Sequence, residues 1–170
     1  MMARITGVGT ELPPDVVTTA EVEERAALQE RFGLAPGWLG HVTGVQTRRW
    51  ASPEVQPSEL AAAAGRKALA RAGLDPYEVD TLIFAGITRD CLEPATASLV
   101  ADALGTRNAR VFRAAGKLWG TAERYGNTNT TSLALAMAEA EAAGRLIAGA
   151  KVLVLAPSSG VSAAALTMVW

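Results

Sequence analysis

Apolar residues along the chain recur at two spacings, and the spacing changes at each cluster of glycine or proline. Ile5 to Val8 has strand length and is closed by Gly9 and by the Pro13-Pro14 pair, which no helix or central strand tolerates. Thr19 predicts the N-cap of a surface helix from Ala20 to Phe32, with Val22, Ala26 and Leu28 set among glutamates and arginines and Gly33 as its stop. Trp38 to Trp50 follows neither period and is expected to be irregular. Ser58 predicts the cap of a helix reaching Ala72, with Leu60, Ala64, Ala68 and Leu69 as its apolar face and Gly73 as its end.

Thr81-Leu82-Ile83-Phe84-Ala85 is apolar without alternation, the pattern of a strand covered on both faces, as in parallel sheets. A helix near Ala95 to Leu104 and a short strand from Ala109 to Phe112 follow. Arg113 to Glu123 shows neither a helical face nor alternation and reads as linker or helix. Thr131 to Ala143 predicts an alanine-rich helix ended by Gly144, and Lys151 to Leu155 a strand. Pro157-Ser158-Ser159-Gly160 then turns the chain into a last strand, Ala163 to Trp170. Strands alternating with helices in this order predict an α/β class, without repeats or low-complexity linkers.

Length changes the picture little: 170 residues suffice for one domain, 1–170, because a chain of roughly 150 residues buries about 70% of its unfolded surface. Charge narrows it more. A formal net charge of −1 leaves no basic footprint for nucleic acid, and Arg48-Arg49 is too short a cluster to supply one. Cys91 and His41 are the single cysteine and histidine, too few for a disulfide or a zinc site, and no cofactor is expected. No apolar run reaches the roughly 18 residues of a membrane span, and Met1 to Gly9 lacks a basic leader with an apolar stretch, so the expected location is cytoplasmic.

The stretch AERYGNTNTTS, Ala122 to Ser132, packs glycine, asparagine and hydroxyl residues directly ahead of a helix. By itself this is helix capping, with Asn129 or Thr130 satisfying first-turn amides. Together with its surroundings it resembles the β-ketoacyl-acyl carrier protein synthase III family, thiolase-fold condensing enzymes that join an acyl thioester to a malonyl thioester. ITGVGTELP, WLGHVTGVQTRRW, ELAAAAGRKALARAGLDPYEVDTLIFAGIT and EPATAS are similar to the amino-terminal portion of the family, giving 1–112. RYGNTNTTSLALAMAEAEAAGRL and KVLVLAPSSGVSAAALTMVW are similar to its carboxyl end, giving 122–170.

The family chain is about twice as long, and the resemblance implies that the part after the third strand is deleted. What remains is a thiolase-like single βαβαβαββ half, a five-stranded mixed sheet covered by helices. In the family the third strand leads into the nucleophilic cysteine, whose thiolate is favoured by a helix start and a histidine. Here Arg113-Ala114-Ala115-Gly116 follows, and the histidine segment is absent too.

Of the family's Cys, His and Asn, only Asn127 of Gly126-Asn127-Thr128 carries over; its implied role is to donate to the thioester oxygen during decarboxylation. Ser159 carries over as a backbone oxyanion donor, against the alternative of an ordinary strand connection. Trp38 matches the tryptophan at the coenzyme A entrance, where an aromatic plane suits adenine, although the family arginine four residues on is Val42; the alternative is a tryptophan that only packs.

Cys91 precedes Pro94 and a helix but aligns with a loop, not with the nucleophile, and is expected to be a small semi-buried residue. Gly7-Val8-Gly9 lacks the third glycine of a dinucleotide signature. The resemblance implies acyl-coenzyme A or acyl carrier protein as partners and no condensing activity in this chain alone. The open alternative is a non-catalytic remnant that binds a thioester or a partner. Leu133 to Ala138 and Ala140 make the Thr131 helix apolar around most of its circumference, so a homodimer through Leu135 and Met137 is expected.

Overall fold

Thr81 to Phe84 is buried at every position, and the rest of the fold is laid down on its two sides. The computed structural model describes residues 3–86, 90–91, 94–113, 131–158 and 162–170. In chain order its elements are β1 (Arg4–Glu11), β2 (Asp15–Thr18), α1 (Thr19–Arg25), α2 (Leu28–Phe32), α3 (Trp38–Thr43), β3 (Thr47–Trp50), α4 (Pro57–Ala72), β4 (Thr81–Phe84), α5 (Thr96–Leu104), β5 (Arg110–Arg113), α6 (Thr131–Ala142), β6 (Lys151–Ser158) and β7 (Ser162–Val169). Five strands form one mixed sheet in the order β1-β7-β6-β4-β5, and β2 pairs with β3 in a separate ribbon. β4 is parallel to β5 and β6, while β7 runs antiparallel to both β6 and β1. With the β2–β3 excursion set aside, this is the βαβαβαββ half with a five-stranded mixed sheet.

The apolar run at β4 has side chains for both faces of the sheet. Leu82 and Phe84, with Leu153 and Leu155 of β6, join Leu60, Ala64, Ala68 and Leu69 of α4 and Val100 and Leu104 of α5. Ile83, with Val152 and Val154, joins Ala140 of α6 on the other face, where Leu133, Ala136 and Met137 also pack. Each fully buried Leu, Ile or Phe contributes about 1.5–3 kcal/mol, so the two clusters supply most of what holds the layers together.

Gly7 and Gly9 have their reason in this packing. A Cβ at Gly9 would overlap the Ala64 carbonyl and come within 2.6 Å of the Ala68 nitrogen, so the glycines let α4 lie directly on β1. Lys67 and Arg71 of α4 also donate to the Thr10 and Val8 carbonyls at 3.1 and 2.6 Å, using up acceptors on this edge strand.

Several boundaries differ from the sequence expectation. The N-cap is Thr18, in a reciprocal capping box with Glu21, while the Thr19 hydroxyl donates to the Val45 carbonyl. The expected single helix from Ala20 to Phe32 is broken at Ala27, which takes a left-handed conformation with φ 49°. Trp38 to Trp50 is not irregular: it holds α3 and β3, elements too short to show a period. Gln56 rather than Ser58 caps α4, with Pro57 at the first position, where its missing N–H costs nothing. β1 and β6 run further than their apolar cores, because pairing with β7 continues through Glu11 and Ser158. Met137 packs toward the sheet rather than outward.

Candidate functional site

β1, β4, β5 and β6 all point one way, so their carboxyl ends open on a single edge of the sheet, where open α/β sheets form their crevices. The register shows how level that edge is. Phe84 pairs with both Arg113 and Leu155, and Glu11 lies opposite Ala163, which is itself opposite Pro157. The Ala85 N–H donates to the Leu155 carbonyl at 2.7 Å, and buried Gly86 leaves no room for a Cβ beside Pro157.

Asp90 ties two helix starts to this edge. Its Oδ1 accepts from the Ser58 N–H at 3.2 Å in the first turn of α4, where a carboxylate is favoured by the helix dipole. Its own N–H donates to Thr96 Oγ1 at 3.3 Å at the start of α5. Cys91, next along the chain, is exposed and not semi-buried, since it is Asp90 beside it that bonds to the two helix starts; the Cys91 thiol lies 3.5 Å from the Pro94 carbonyl.

The chain leaves the same edge after Glu11 and returns to it at Pro57, and between them lies the β2–β3 excursion with α1, α2 and α3. Few of its side chains are buried, and polar contacts stitch it together. Arg48 Nη2 donates to Thr19 Oγ1 at 3.1 Å, Arg49 Nη1 to the Pro14 carbonyl at 3.0 Å, and the Arg25 guanidinium sits 5.3 Å over the Trp50 ring. Trp38 begins α3 and is 40% exposed. Gly37, the residue before it, has φ 83° and no side chain with which to cap the helix. Glu23 of α1 supplies the cap instead, one carboxylate oxygen accepting from Gly37 N–H at 2.7 Å and the other from Leu39 N–H at 2.6 Å. Beside it, α1, α2 and the turn before α3 enclose a hollow of about 320 Å³ floored by Ala27, Leu28, Leu34 and Pro36.

Trp38 is therefore the one expected site residue with a described position, on a segment anchored at the carboxyl edge. Asn127 and Ser159 lie outside the described residues, so their proximity to Trp38 is not part of this geometry. Glu23 and Asp90 were not legible as partners of these helices. Each bonds across 14 to 32 residues of sequence, and no spacing rule marks such contacts. Among the described residues no group of three or more His, Cys, Asp or Glu could hold a metal ion, and no helix is long and apolar enough to cross a membrane.

The family described as 3-oxoacyl-[acyl-carrier-protein (ACP)] synthase III C terminal matches residues 69–170, well over half of the sequence. The chain belongs to this family. Among solved structures it is similar to the 3-oxoacyl-[acyl-carrier-protein] synthase III of Aquifex aeolicus VF5, at 24% identity and a TM-score of 0.71 over 99% of this chain and 54% of that one. It is similar to the priming β-ketosynthase of the R1128 polyketide biosynthetic pathway, at 25% identity and TM-score 0.71, covering 99% and 50%. Xanthomonas campestris OleA with bound lauric acid and lauroyl-CoA also matches at 25% identity and TM-score 0.71, covering 99% and 56%. These neighbours establish the thiolase-like condensing-enzyme fold, and the chain spans about half the length of each.

Proposed function

We propose that this chain is a synthase III-like acyl-thioester protein that carries no condensing activity of its own, with Trp38 at a coenzyme A or acyl carrier entrance and Asn127 and the Ser159 backbone amide as its remaining polar site groups. In this reading 1–112 corresponds to the amino-terminal portion of the family and 122–170 to its carboxyl end. The observation that carries it is the position of the single cysteine. Cys91 sits exposed between β4 and α5, whereas β5 ends at Arg113 and the sequence continues Ala114-Ala115-Gly116. Without a nucleophile after β5 no acyl-enzyme forms there, and a lone Asn127 donor leaves the decarboxylation charge short of a partner, a loss of roughly 100- to 1000-fold.

Intact mass measured after exposure to acetyl-coenzyme A, followed by incubation with a malonyl carrier protein, tests this. The expected result is unmodified chain and no condensed product. An acyl adduct, or a product lost in Asn127→Ala, would overturn it.

A second copy is the partner we propose for the α6 side of the sheet. Burial on that face falls steadily away from α6: Ile83 is 0% and Val154 2% exposed, but Val8 is 46% and Ile5 59%. Val8 and Ile5 share the face through their register with Leu166 and Met168. An apolar strip on the sheet beside a largely apolar helix is self-complementary under a twofold axis.

A further inference from the structure

We infer that Glu23 is the positioning residue of Trp38: by accepting from the N–H groups on either side of that tryptophan, its carboxylate fixes the start of α3 and with it the plane of the indole. The inference rests on the reading of Trp38 as the entrance plate, but its geometry stands apart from that reading.

Three features make Glu23 more than a general cap. The residue at the N-cap position is Gly37, so α3 has no local side chain for its first amides. The two bonds, at 2.7 and 2.6 Å, use both carboxylate oxygens and hold the N–H groups of Gly37 and Leu39, the residues before and after Trp38, while the Trp38 N–H itself donates to the Ala35 carbonyl. Finally, α3 has only six residues and no buried side chain, so packing does little to hold it. A half-exposed indole on such a helix would turn freely, and a plate that must first be ordered binds more weakly than one already held.

The same bonds limit what Trp38 can recognise. Because Glu23 occupies these amides with a negative charge, they are not available to a phosphate, and Glu24 and Glu30 lie around the same hollow. Trp38 is left to recognise a flat ring by stacking rather than an anion by charge.

The whole chain labelled with 5-fluorotryptophan gives one ¹⁹F signal for each of its four tryptophans, and Trp38→Phe assigns the relevant one. In Glu23→Ala the Trp38 signal is expected to shift and broaden while that of Trp170, on the far side of the fold, stays in place. Glu23→Gln, which keeps one acceptor oxygen, should fall between. Affinity for coenzyme A, measured by calorimetry, should drop in the same order, by roughly tenfold in Glu23→Ala. An unchanged Trp38 signal in Glu23→Ala overturns the inference, as does equal displacement of all the signals in both variants. If the Trp38 signal moves but no variant and not the wild type binds coenzyme A, the positioning role holds and the entrance reading falls.

Discussion

At Gly9 the backbone of β1 lies so close to α4 that one methyl group has nowhere to go. The two nearest atoms it would meet are the Ala64 carbonyl oxygen and the Ala68 nitrogen, both backbone, and neither can swing aside as a side-chain tip would. Gly9→Ala should therefore push α4 off the sheet and cost about 3 kcal/mol, the upper range for overpacking. Urea unfolding reads this directly as a lower midpoint with an unchanged slope. A midpoint equal to the wild type would mean that α4 does not sit on β1 as described. The residues of the Gly7-Val8-Gly9 stretch divide by face, the glycines toward the helix and Val8 toward the α6 side.

Element ends respond to pH through carboxylates bonded across turns. Glu78 closes the single-turn helix Pro76–Glu78 and meets Lys151 at the start of β6 at 2.6 Å. The hydrogen bond from Lys151 holds its carboxyl below the usual range, with smaller help from the Asp75 N–H and from the lysine charge. A depressed folded-state pKa means that the unfolded chain takes up the proton first. The stabilisation is thus complete above the unfolded carboxylate range and is lost as pH falls through the lower, folded value. The pair is exposed, so the effect is small and weakens with salt. Glu78→Gln should flatten the acid side of the stability curve between about pH 3 and 5 and leave it parallel to the wild type near neutrality. Equal acid slopes for both proteins would show that the contact does not persist in solution.

For the molecule as a whole, the exposed apolar strip on this face lies over β1, at Val8 and Ile5, because Met168 and Leu166 of β7 already pack with the α6 cluster. In the proposed dimer, α6 of a second copy would lie against this strip, and the strip of that copy against α6 of the first. Val8 is 46% exposed in the single chain, so Val8→Glu should fold normally, yet it would place a charge at the centre of the joint surface. Sedimentation at micromolar concentration should find a dimer for the wild type and a monomer for Val8→Glu, a weakening of more than about a hundredfold. A wild-type monomer, or a dimer untouched by the substitution, overturns the arrangement.

The sequence by itself determined the α/β order, because β4 and α4 declare themselves locally. Leu82, Ile83 and Phe84 leave no polar face to expose, and Leu60, Ala64, Ala68 and Leu69 recur at helical spacing. It also determined that the single cysteine precedes α5 rather than following β5. Only the tertiary structure decided the break between α1 and α2, the presence of α3 and β3, and how these pieces are held together. α1, α2, α3 and β3 are short, bury little, and are held by Glu23, Arg48 and Arg25 acting on distant partners. The helical pattern from Ala20 to Phe32 records α1 and α2 without the break at Ala27, whereas α3 and β3 depend on contacts across sequence rather than on a repeating apolar face, so no local pattern records them. Likewise Met137 and Ala138 look equally apolar in the sequence, and only docking of α6 on the sheet turns one inward and leaves the other in water.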